Sequence, residues 1–275
     1  MPILYVVATP IGNLEDISLR ALRVLSRVGL IAAEDTRSTR QLLNRYDIKT
    51  PLTSYHEHNK RTKLDYLIDR LIEEDMALVS EAGMPGLSDP GYELIIAAIE
   101  REISVVPIPG PSAVITALVV SGLPTDQFLY LGFLPRRKGE RRRLLQSVVD
   151  EPRTLVAFEA PHRLRETLRD ALDVLGDRKL AVCRELTKLY EEVFRGRFSH
   201  ALEHFVQPKG EITLVIEGKA ESKPEVSETI ETELRKLYKQ GAGAKEAVAH
   251  LSEMSGIPKK KLYQAWLRLA KGDQA

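Results

Sequence analysis

The chain has 275 residues, of which 43% are hydrophobic and 29% are charged, and its formal net charge is +1. This length and composition are ordinary for a soluble globular protein with a sizeable core, and they leave room for two domains and a small additional module. The small net charge excludes a global field that attracts nucleic acid, so any RNA contact must come from local basic patches.

Cysteine usage and the start of the chain bear on its compartment. The only cysteine, Cys183, excludes a disulfide within the chain and fits a reducing compartment. It follows Leu180–Val182, so the pattern predicts a buried thiol in a strand rather than a nucleophile. No charged leader precedes the first apolar run, and no apolar run reaches the length of a membrane span. We therefore expect a cytoplasmic protein without a membrane contact.

Short apolar runs alternate with helical patterns over residues 1–121. This alternation is typical of βαβ units and predicts an α/β domain with a parallel sheet and flanking helices. The predicted strands are Ile3–Val7, Gly29–Ala32, Ala77–Val79 and Ser104–Val106, and the predicted helices are Ser18–Ser26, Ser38–Arg45, Thr62–Glu73, Tyr92–Glu100 and Ser112–Ser121.

A Gly- and Pro-containing break at Ser121–Thr125 predicts a domain boundary, and a second α/β domain is predicted over residues 126–218. Its late strands follow one another closely, which indicates a mixed, partly antiparallel sheet. The predicted strands are Phe128–Gly132, Arg153–Phe158, Leu180–Arg184, Glu191–Arg195 and Glu211–Glu217, and the predicted helices are Gly139–Val149, His162–Leu175 and His200–Phe205.

A polar linker, Lys219–Glu225, precedes a third module predicted over residues 226–275. Three helices are predicted there, at Ile230–Gln240, Ala244–Met254 and Lys259–Ala270. The turn at Ser255–Pro258 makes the last two resemble a helix-turn-helix, with Lys259, Lys260 and Lys261 at the start of the helix that would read a nucleic acid. The alternative is a small helical bundle that only packs on the protein.

Three loops rich in small residues follow predicted strands of the first domain. They are Ala8–Asn13, Ser80–Tyr92 and Pro107–Ala113. Loops at the carboxyl ends of strands in an open α/β sheet bind ligands, so the three together predict one pocket for an extended small molecule. The alternative is ordinary Gly/Pro punctuation between strands and helices. Neither a G-x-G-x-x-G fingerprint after a strand nor a G-x-x-x-x-G-K-[ST] loop occurs, which disfavours a common dinucleotide fold and a P-loop NTPase.

Six motifs in a fixed order extend over most of residues 1–218. They are Thr9–Asp16 (TPIGNLED), Glu34–Arg37 (EDTR), Tyr55–Asn59 (YHEHN), Ser88–Tyr92 (SDPGY), Gly132–Pro135 (GFLP) and Arg184–Lys188 (RELTK). By these motifs the chain resembles the ribosomal RNA small-subunit methyltransferase I family of the tetrapyrrole-methylase-like superfamily. The resemblance implies S-adenosylmethionine as cofactor, 2′-O-methylation of a cytidine in small-subunit ribosomal RNA, and a homodimer. The chain departs from the family pattern at Glu81 and Met84, where the family carries Asp and Thr.

The cofactor is expected in a cleft between the two α/β domains. From the first domain we expect contacts by Pro10, Ile11, Gly12, Glu81, Ala82, Gly83, Met84, Pro85, Ser112 and Ala113. From the second, by resemblance, we expect contacts by Ala160, Pro161, Leu186, Gly210 and Ile212. The chemistry requires no metal, and the His56-x-His58 pair lacks an obvious third ligand.

Methyl transfer to a ribose hydroxyl needs a base or a nearby cation, because the hydroxyl is a weak acid. Lys188 is our first candidate, with a pKa lowered by a bound cation, and Glu185 would orient it. The alternative for this segment is a surface ion-pair cluster. Glu34 and Asp35 follow a predicted strand and either face the substrate or cap the next helix.

Six of the eight residues from Arg136 to Arg143 are basic, which is the strongest nucleic-acid signal in the chain. The alternative is a solvated helix face. The predicted phosphate-binding residues are Arg136, Arg137, Lys138, Arg141, Arg142 and Arg143, together with Arg37 and Arg40. These predictions favour an RNA 2′-O-methyltransferase that acts on ribosomal RNA or on the assembled small subunit. The rival functions are a tetrapyrrole C-methylase of the same fold and a non-catalytic RNA-binding protein.

Overall fold

A computed structural model describes residues 2–220 and 228–272, and these divide into two compact units, Met1–Lys219 and Ala220–Ala275. The first unit holds two five-stranded sheets, and the second is helical. The predicted α/β class with a parallel sheet, a mixed sheet and a helical module is confirmed. The domain boundary predicted near residue 121 falls inside the first unit. The division of this unit into two domains therefore stays a prediction.

The first sheet is entirely parallel. Its strands are β1 (Ile3–Val7), β2 (Leu30–Ala33), β3 (Leu52–Ser54), β4 (Met76–Val79) and β5 (Ser104–Ile108), in the order β3-β2-β4-β1-β5. Every residue of β2 and β4 is buried, as expected for inner strands covered on both faces. The predictions missed β3, which is a three-residue strand at the edge of the sheet.

Five helices accompany this sheet: α1 (Leu19–Leu25), α2 (Thr36–Arg45), α3 (Lys60–Glu73), α4 (Tyr92–Glu100) and α5 (Ala113–Val120). Side chains of β2 alternate between two cores, with Ile31 packing among residues of α1 and α2, and Leu30 among residues of α3 and α4. Because β1 lies between β4 and β5, the loops that follow these three strands are neighbours at one edge of the sheet.

The second sheet is mixed. Its strands are β6 (Phe128–Phe133), β7 (Thr154–Glu159), β8 (Lys179–Arg184), β9 (Glu192–Arg197) and β10 (Ile212–Ile216), in the order β6-β7-β10-β8-β9. Only the β6–β7 pair is parallel. The helices α6 (Lys138–Ser147), α7 (Leu164–Leu175) and α8 (Phe198–His204) contribute to the core on one face.

A further core joins the two sheets. It contains Ile11 and the α5 residues Val114, Ala117 and Leu118 from the first half, packed with buried residues of the second sheet. The residues from the second half are Val156, Ala181, Cys183, Leu186 and Val215. The two sheets of this unit therefore share buried apolar contacts.

The second unit contains α9 (Glu228–Lys239), α10 (Ala244–Ser255) and α11 (Lys259–Gly272), which pack around a small core that includes Leu251 and Trp266. Residues 221–225 of the predicted linker, and residues 226–227 and 273–275 of the predicted module, lie outside the described residues. Lys259 and Lys260 are exposed and Lys261 is half-buried. Among the helices of the described ranges, none combines the length and apolar character that a bilayer crossing requires.

Candidate active site

A cavity of about 370 Å³ lies between the loops of the first sheet and the strand ends of the second. Its volume is in the usual range for small-molecule sites. Most of the predicted cofactor residues line it: Ile11, Glu81, Ala82, Gly83, Met84, Ser112, Ala113, Ala160, Pro161, Leu186, Gly210 and Ile212. The neighbouring Pro10, Gly12 and Pro85 are not part of its lining.

The first two loops are joined by their backbones. The amide of Thr9 donates to the carbonyl oxygen of Gly83 at 2.9 Å, and the amide of Gly83 donates to that of Thr9 at 3.0 Å. Gly83 has φ of +81°, a conformation that L side chains rarely adopt. The backbone bridge thus needs glycine at the point where the loop borders the cavity.

The segment from Glu185 to Lys188 forms a tight loop between the two sheets. Glu185 and Thr187 have φ of +51° and +66°, which is unusual for residues other than glycine and marks a loop held by its surroundings. The Thr187 hydroxyl accepts a hydrogen bond from the Asn13 amide at 3.0 Å. A Cβ on Gly12 would lie 2.8 Å from the Thr187 Oγ1 and closer still to the Lys188 side chain. The two halves therefore meet tightly here.

Lys188 lies between two carboxylates, with its Nζ 3.1 Å from the Glu185 Oε1 and 3.1 Å from the Glu211 Oε1. Burial, the largest single effect, lowers the pKa of Lys188, but the hydrogen bonds and charges of Glu211 and Glu185 together outweigh it and raise the pKa. In the protein without bound ligand, two carboxylates thus stabilise the ammonium of Lys188, and the lowering expected from a bound cation stays a prediction. Glu211 lines the cavity, whereas Lys188 and Glu185 do not.

Glu34 and Asp35 differ in what they contact. Glu34 lines the cavity, and its Oε2 accepts a hydrogen bond from the Glu81 amide at 3.0 Å. Asp35 is the N-cap of α2, where its Oδ1 accepts a hydrogen bond from the Arg37 amide at 2.7 Å. This hydrogen bond is the main reason that the pKa of Asp35 is lowered. For Asp35 the helix-capping alternative is thus confirmed.

Sequence reasoning assigned no role to Asp89, which lines the cavity. Burial raises the pKa of Asp89 to about 7, and the charges of Glu34 and Glu81 add to the effect. Burial also raises the pKa of Glu81. The residue before Asp89, Ser88, has φ of +66°, and its hydroxyl lies 2.7 Å from that of Tyr130 on β6. A carboxylate within the Ser88–Tyr92 motif, in a loop after a strand of a parallel sheet, was the available signal.

The remaining wall residues come mainly from the second half. Phe133 and Phe158 lie with ring centroids 5.2 Å apart and add aromatic surface. The other lining residues that we did not predict are Leu87, Val114, Glu159, Cys183, Glu211 and Thr213. The predicted buried thiol of Cys183 is confirmed, and burial raises its pKa to about 12.

The basic residues from Arg136 to Arg143 differ in whether their side chains are exposed to solvent. Arg136, Arg137, Lys138 and Arg143 are exposed, as are Arg37 and Arg40. Arg141 is buried, with its Nη2 2.7 Å from the Asp170 Oδ2, so the prediction that it binds an RNA phosphate is wrong. Arg142 is partly exposed, and its Nη1 contacts Asp170 and Asp173 at 3.2 and 3.0 Å. Its guanidinium is therefore less available to an RNA phosphate than those of the exposed residues.

Among residues 2–220 and 228–272, no group of three or more His, Cys, Asp and Glu side chains is placed to hold a metal ion. His56 and His58 lie with ring centroids 6.0 Å apart.

The sequence pattern of the family described as Tetrapyrrole (Corrin/Porphyrin) Methylases matches residues 3–202. Several similar proteins are named Ribosomal RNA small subunit methyltransferase I. The chain is 48% identical over 272 residues to the protein of Halalkalibacterium halodurans, covering 96% of this chain and 94% of that one. It is 51% identical over 219 residues to the protein of Thermotoga maritima, covering 78% and 98%.

Solved structures at low identity share the fold. A diphthine synthase has a TM-score of 0.61 at 13% identity, covering 78% of this chain and 90% of that one. A uroporphyrin-III C-methyl transferase from Thermus thermophilus, complexed with S-adenyl homocysteine, has a TM-score of 0.57 at 16% identity, covering 79% and 97%.

Proposed function

Because the chain belongs to the ribosomal RNA small subunit methyltransferase I family of tetrapyrrole (corrin/porphyrin) methylases, we propose that it methylates the ribose 2′-oxygen of a cytidine in small-subunit ribosomal RNA. The methyl donor is S-adenosylmethionine. The observation that carries the proposal is the near full-length similarity to relatives with this name. The cavity supports it, because residues from the motifs described in the sequence analysis line its wall.

The chemistry of the cavity wall fits this cofactor. Ile11, Phe133 and Phe158 provide apolar and aromatic surface that suits an adenine ring, and the volume of about 370 Å³ suits a folded small molecule. Glu34, Glu81 and Asp89 add carboxylates that suit a ligand with ammonium and sulfonium charges. We propose that the predicted cofactor residues on this wall hold it, including Gly83, where a Cβ would face Ile11.

When bound, the cofactor supplies an activated methyl group on a positively charged sulfur. The protein's own work is then to position the ribose, to exclude water and to handle the hydroxyl proton. The paired Lys188, Glu185 and Glu211 fix the loop that borders the cavity, and Leu186 closes its wall. The exposed residues Arg136, Arg137, Lys138 and Arg143 are suited to phosphate contacts, as are Arg37 and Arg40.

The oligomeric state and compartment are part of the same proposal. Leu19, Leu189 and Tyr190 carry large apolar side chains with 85%, 88% and 69% of their surface exposed in the single chain. The homodimer implied by the family resemblance would have such apolar groups available for its interface, and sedimentation velocity is the direct measurement. A ribosomal RNA substrate makes the cytoplasm the expected compartment. RNA contact by Lys259, Lys260 and Lys261 of α11 also remains a proposal.

The test uses the full chain with methyl-labelled S-adenosylmethionine and two substrates, unmodified small-subunit ribosomal RNA and small subunits assembled from it. We expect label in RNA and an alkali-resistant dinucleotide that begins with methylated cytidine, because a 2′-O-methyl group blocks alkaline cleavage. RNA binding without label would favour the non-catalytic rival. Label on a tetrapyrrole but not on RNA would favour the C-methylase rival.

A further inference from the structure

Asp89 contributes a carboxylate that is held by no partner. Across residues 2–220 and 228–272, no hydrogen bond or ion pair involves its side chain. Other carboxylates of the cavity are engaged: Glu34 with the Glu81 amide, Glu159 with Arg163, and Glu211 with Lys188. Glu81 is also without a side-chain partner, but it is exposed, whereas Asp89 is half-buried. Asp89 is thus the more enclosed carboxylate that is free to accept a proton.

The loop that carries Asp89 is fixed on both sides. The Ser88 hydroxyl is hydrogen-bonded to that of Tyr130 on β6, and Ser88 keeps a positive φ of +66°. On the other side, Gly91 packs so closely that a Cβ there would lie 2.9 Å from the Leu78 Cδ2. A carboxylate on a loop tied to both sheets is positioned for chemistry in a way that a mobile surface carboxylate is not.

The surroundings of Asp89 favour the protonated form more than usual. Glu34 at the end of β2, Glu81 in the same loop and the Tyr130 hydroxyl on β6 are the titratable groups near it, and no cation is among them. Burial first, and then the charges of Glu34 and Glu81, raise the pKa of Asp89 to about 7. A general base is most effective when its pKa is near the working pH. By contrast, Glu211 and Glu185 raise the pKa of Lys188 in the protein without ligand, which favours its charged form.

We propose that Asp89 is the catalytic base that takes the proton from the RNA hydroxyl as it is methylated, an inference that rests on the proposed function. Asp89 accepts the hydroxyl proton, the ribose oxygen forms its new bond to the methyl carbon, and the electron pair of the broken sulfur–carbon bond stays on the sulfur. The protonated Asp89 then returns its proton to water. Charge and atoms balance without a metal or a further reactant.

The first measurement is a carboxyl titration of the free protein by ¹³C NMR with labelled aspartate. We expect one aspartate signal to titrate near pH 7, to be absent in Asp89→Asn and to persist in Asp65→Asn, which removes an exposed carboxylate on α3. In Glu34→Gln the midpoint should fall, because one of the charges that raises the pKa is gone. This readout needs neither cofactor nor RNA.

The second measurement is the single-turnover rate of methyl transfer against pH. In the wild type the rate should rise with pH and level off, with a midpoint below that of the free protein if a bound cation stabilises the carboxylate. With cofactor at saturating concentration, Asp89→Asn should be about 10²–10⁴-fold slower and lose this pH dependence. Asp89→Glu keeps a carboxylate and should recover part of the rate.

The outcomes separate the two proposals. A wild type that transfers no methyl to either RNA substrate would overturn the proposed function and this inference with it. Normal transfer by the wild type, with Asp89→Asn equally fast and equally pH-dependent, would overturn the inference alone. The inference would also be overturned if every aspartate signal that titrates near pH 7 in the wild type were retained in Asp89→Asn, or if the wild type showed no such signal.

Discussion

Arg141 and Asp170 form an ion pair that is almost completely shielded from water. The Nε and Nη2 atoms of Arg141 lie 2.9 and 2.7 Å from the Asp170 Oδ2, and the two side chains are 1% and 5% exposed. The pair joins α6 to α7. Arg141 is thus part of the protein interior, although it stands in a run of basic residues. A test of RNA binding by this run must therefore treat Arg141 separately from the exposed basic residues.

Replacing Arg141 by alanine should destabilise the protein, because the Asp170 charge would stay buried with only the partly exposed Arg142 as its partner. Breaking a buried pair typically costs about 3–5 kcal/mol in the free energy of unfolding. Urea denaturation measures this. The matched control is Arg143→Ala in the same helix, where the side chain is exposed and the change should stay within about 0.5 kcal/mol. Equal stability of the two variants would contradict the ion-pair role.

Replacing Arg136, Arg137, Lys138 and Arg143 together by glutamine should weaken RNA binding without unfolding the protein. Each phosphate contact that is lost should flatten the plot of log affinity against log salt concentration by about 0.7–0.9. Filter binding over a series of salt concentrations measures the slope. Cofactor affinity should not change, and an unaltered slope would mean that these side chains form only a solvated surface.

Lys188→Ala should slow methyl transfer, because Glu185 and Glu211 would lose the cation between them and the loop beside the cavity would shift. A positioned charge is worth about 10²–10³-fold in rate. Since the pKa of Lys188 is raised, the lysine is a cation at neutral pH, and Lys188→Arg should recover much of the rate. Single-turnover kinetics measure both rates. If Lys188→Arg transferred methyl as slowly as Lys188→Ala, a neutral lysine that acts as a base would be favoured instead.

Gly83→Ala should lower stability by about 1–2 kcal/mol, because φ is +81° there and an L side chain is strained in that region. Space is not the cause, since a Cβ would lie 3.6 Å from the Ile11 Cγ2 and 3.7 Å from the Pro111 oxygen. Gly83→Val should also block cofactor binding in calorimetry. As a control, Gly139→Ala in α6 meets no atom within 4 Å and should stabilise the helix by about 0.5–1 kcal/mol.

Asp89→Asn should change how stability depends on pH. Because the folded-state pKa of Asp89 is about 7 against an ordinary value of 3.8, the folded protein holds a proton between these pH values that the unfolded chain has released. Stability from this group is therefore present at low pH and lost as pH rises from about 4 to 7. The variant should be more stable than the wild type at pH 8, and the difference should fade at pH 4. Urea midpoints across this range test it.

Helix register explains why Arg141 was wrongly predicted. Arg141 and Leu145 are one helical turn apart and both are buried, while the neighbouring basic residues point outward. The apolar Leu145 was visible in the sequence, so the four-residue spacing was a usable signal. The buried partner Asp170 lies 29 residues further along and was not.

The lining of the cavity was predicted more fully than the protonation chemistry of its side chains. Gly and Pro loops after strands are local signals, and twelve residues predicted as cofactor-binding line the cavity. The pKa of Asp89 depends on burial and on Glu34, which is 55 residues earlier in the chain, and no local pattern carries that information. The Lys188 pKa likewise depends on Glu211, which directly precedes β10 and lies 23 residues further along the chain. The edge strand β3 was missed because three residues are too short for a period-2 pattern.

The core between the sheets and the wall of the cavity share side chains, which couples binding in the cavity to the folding of both sheets. Ile11, Val114, Cys183 and Leu186 belong both to that core and to the wall of the cavity. A ligand that binds only the folded state raises the midpoint of thermal unfolding by mass action, and a cofactor held in this cavity, as proposed above, would contact both sheets through the same side chains. Calorimetric melting of residues 2–219 should therefore show both sheets unfolding in one transition, which ligand shifts as a whole.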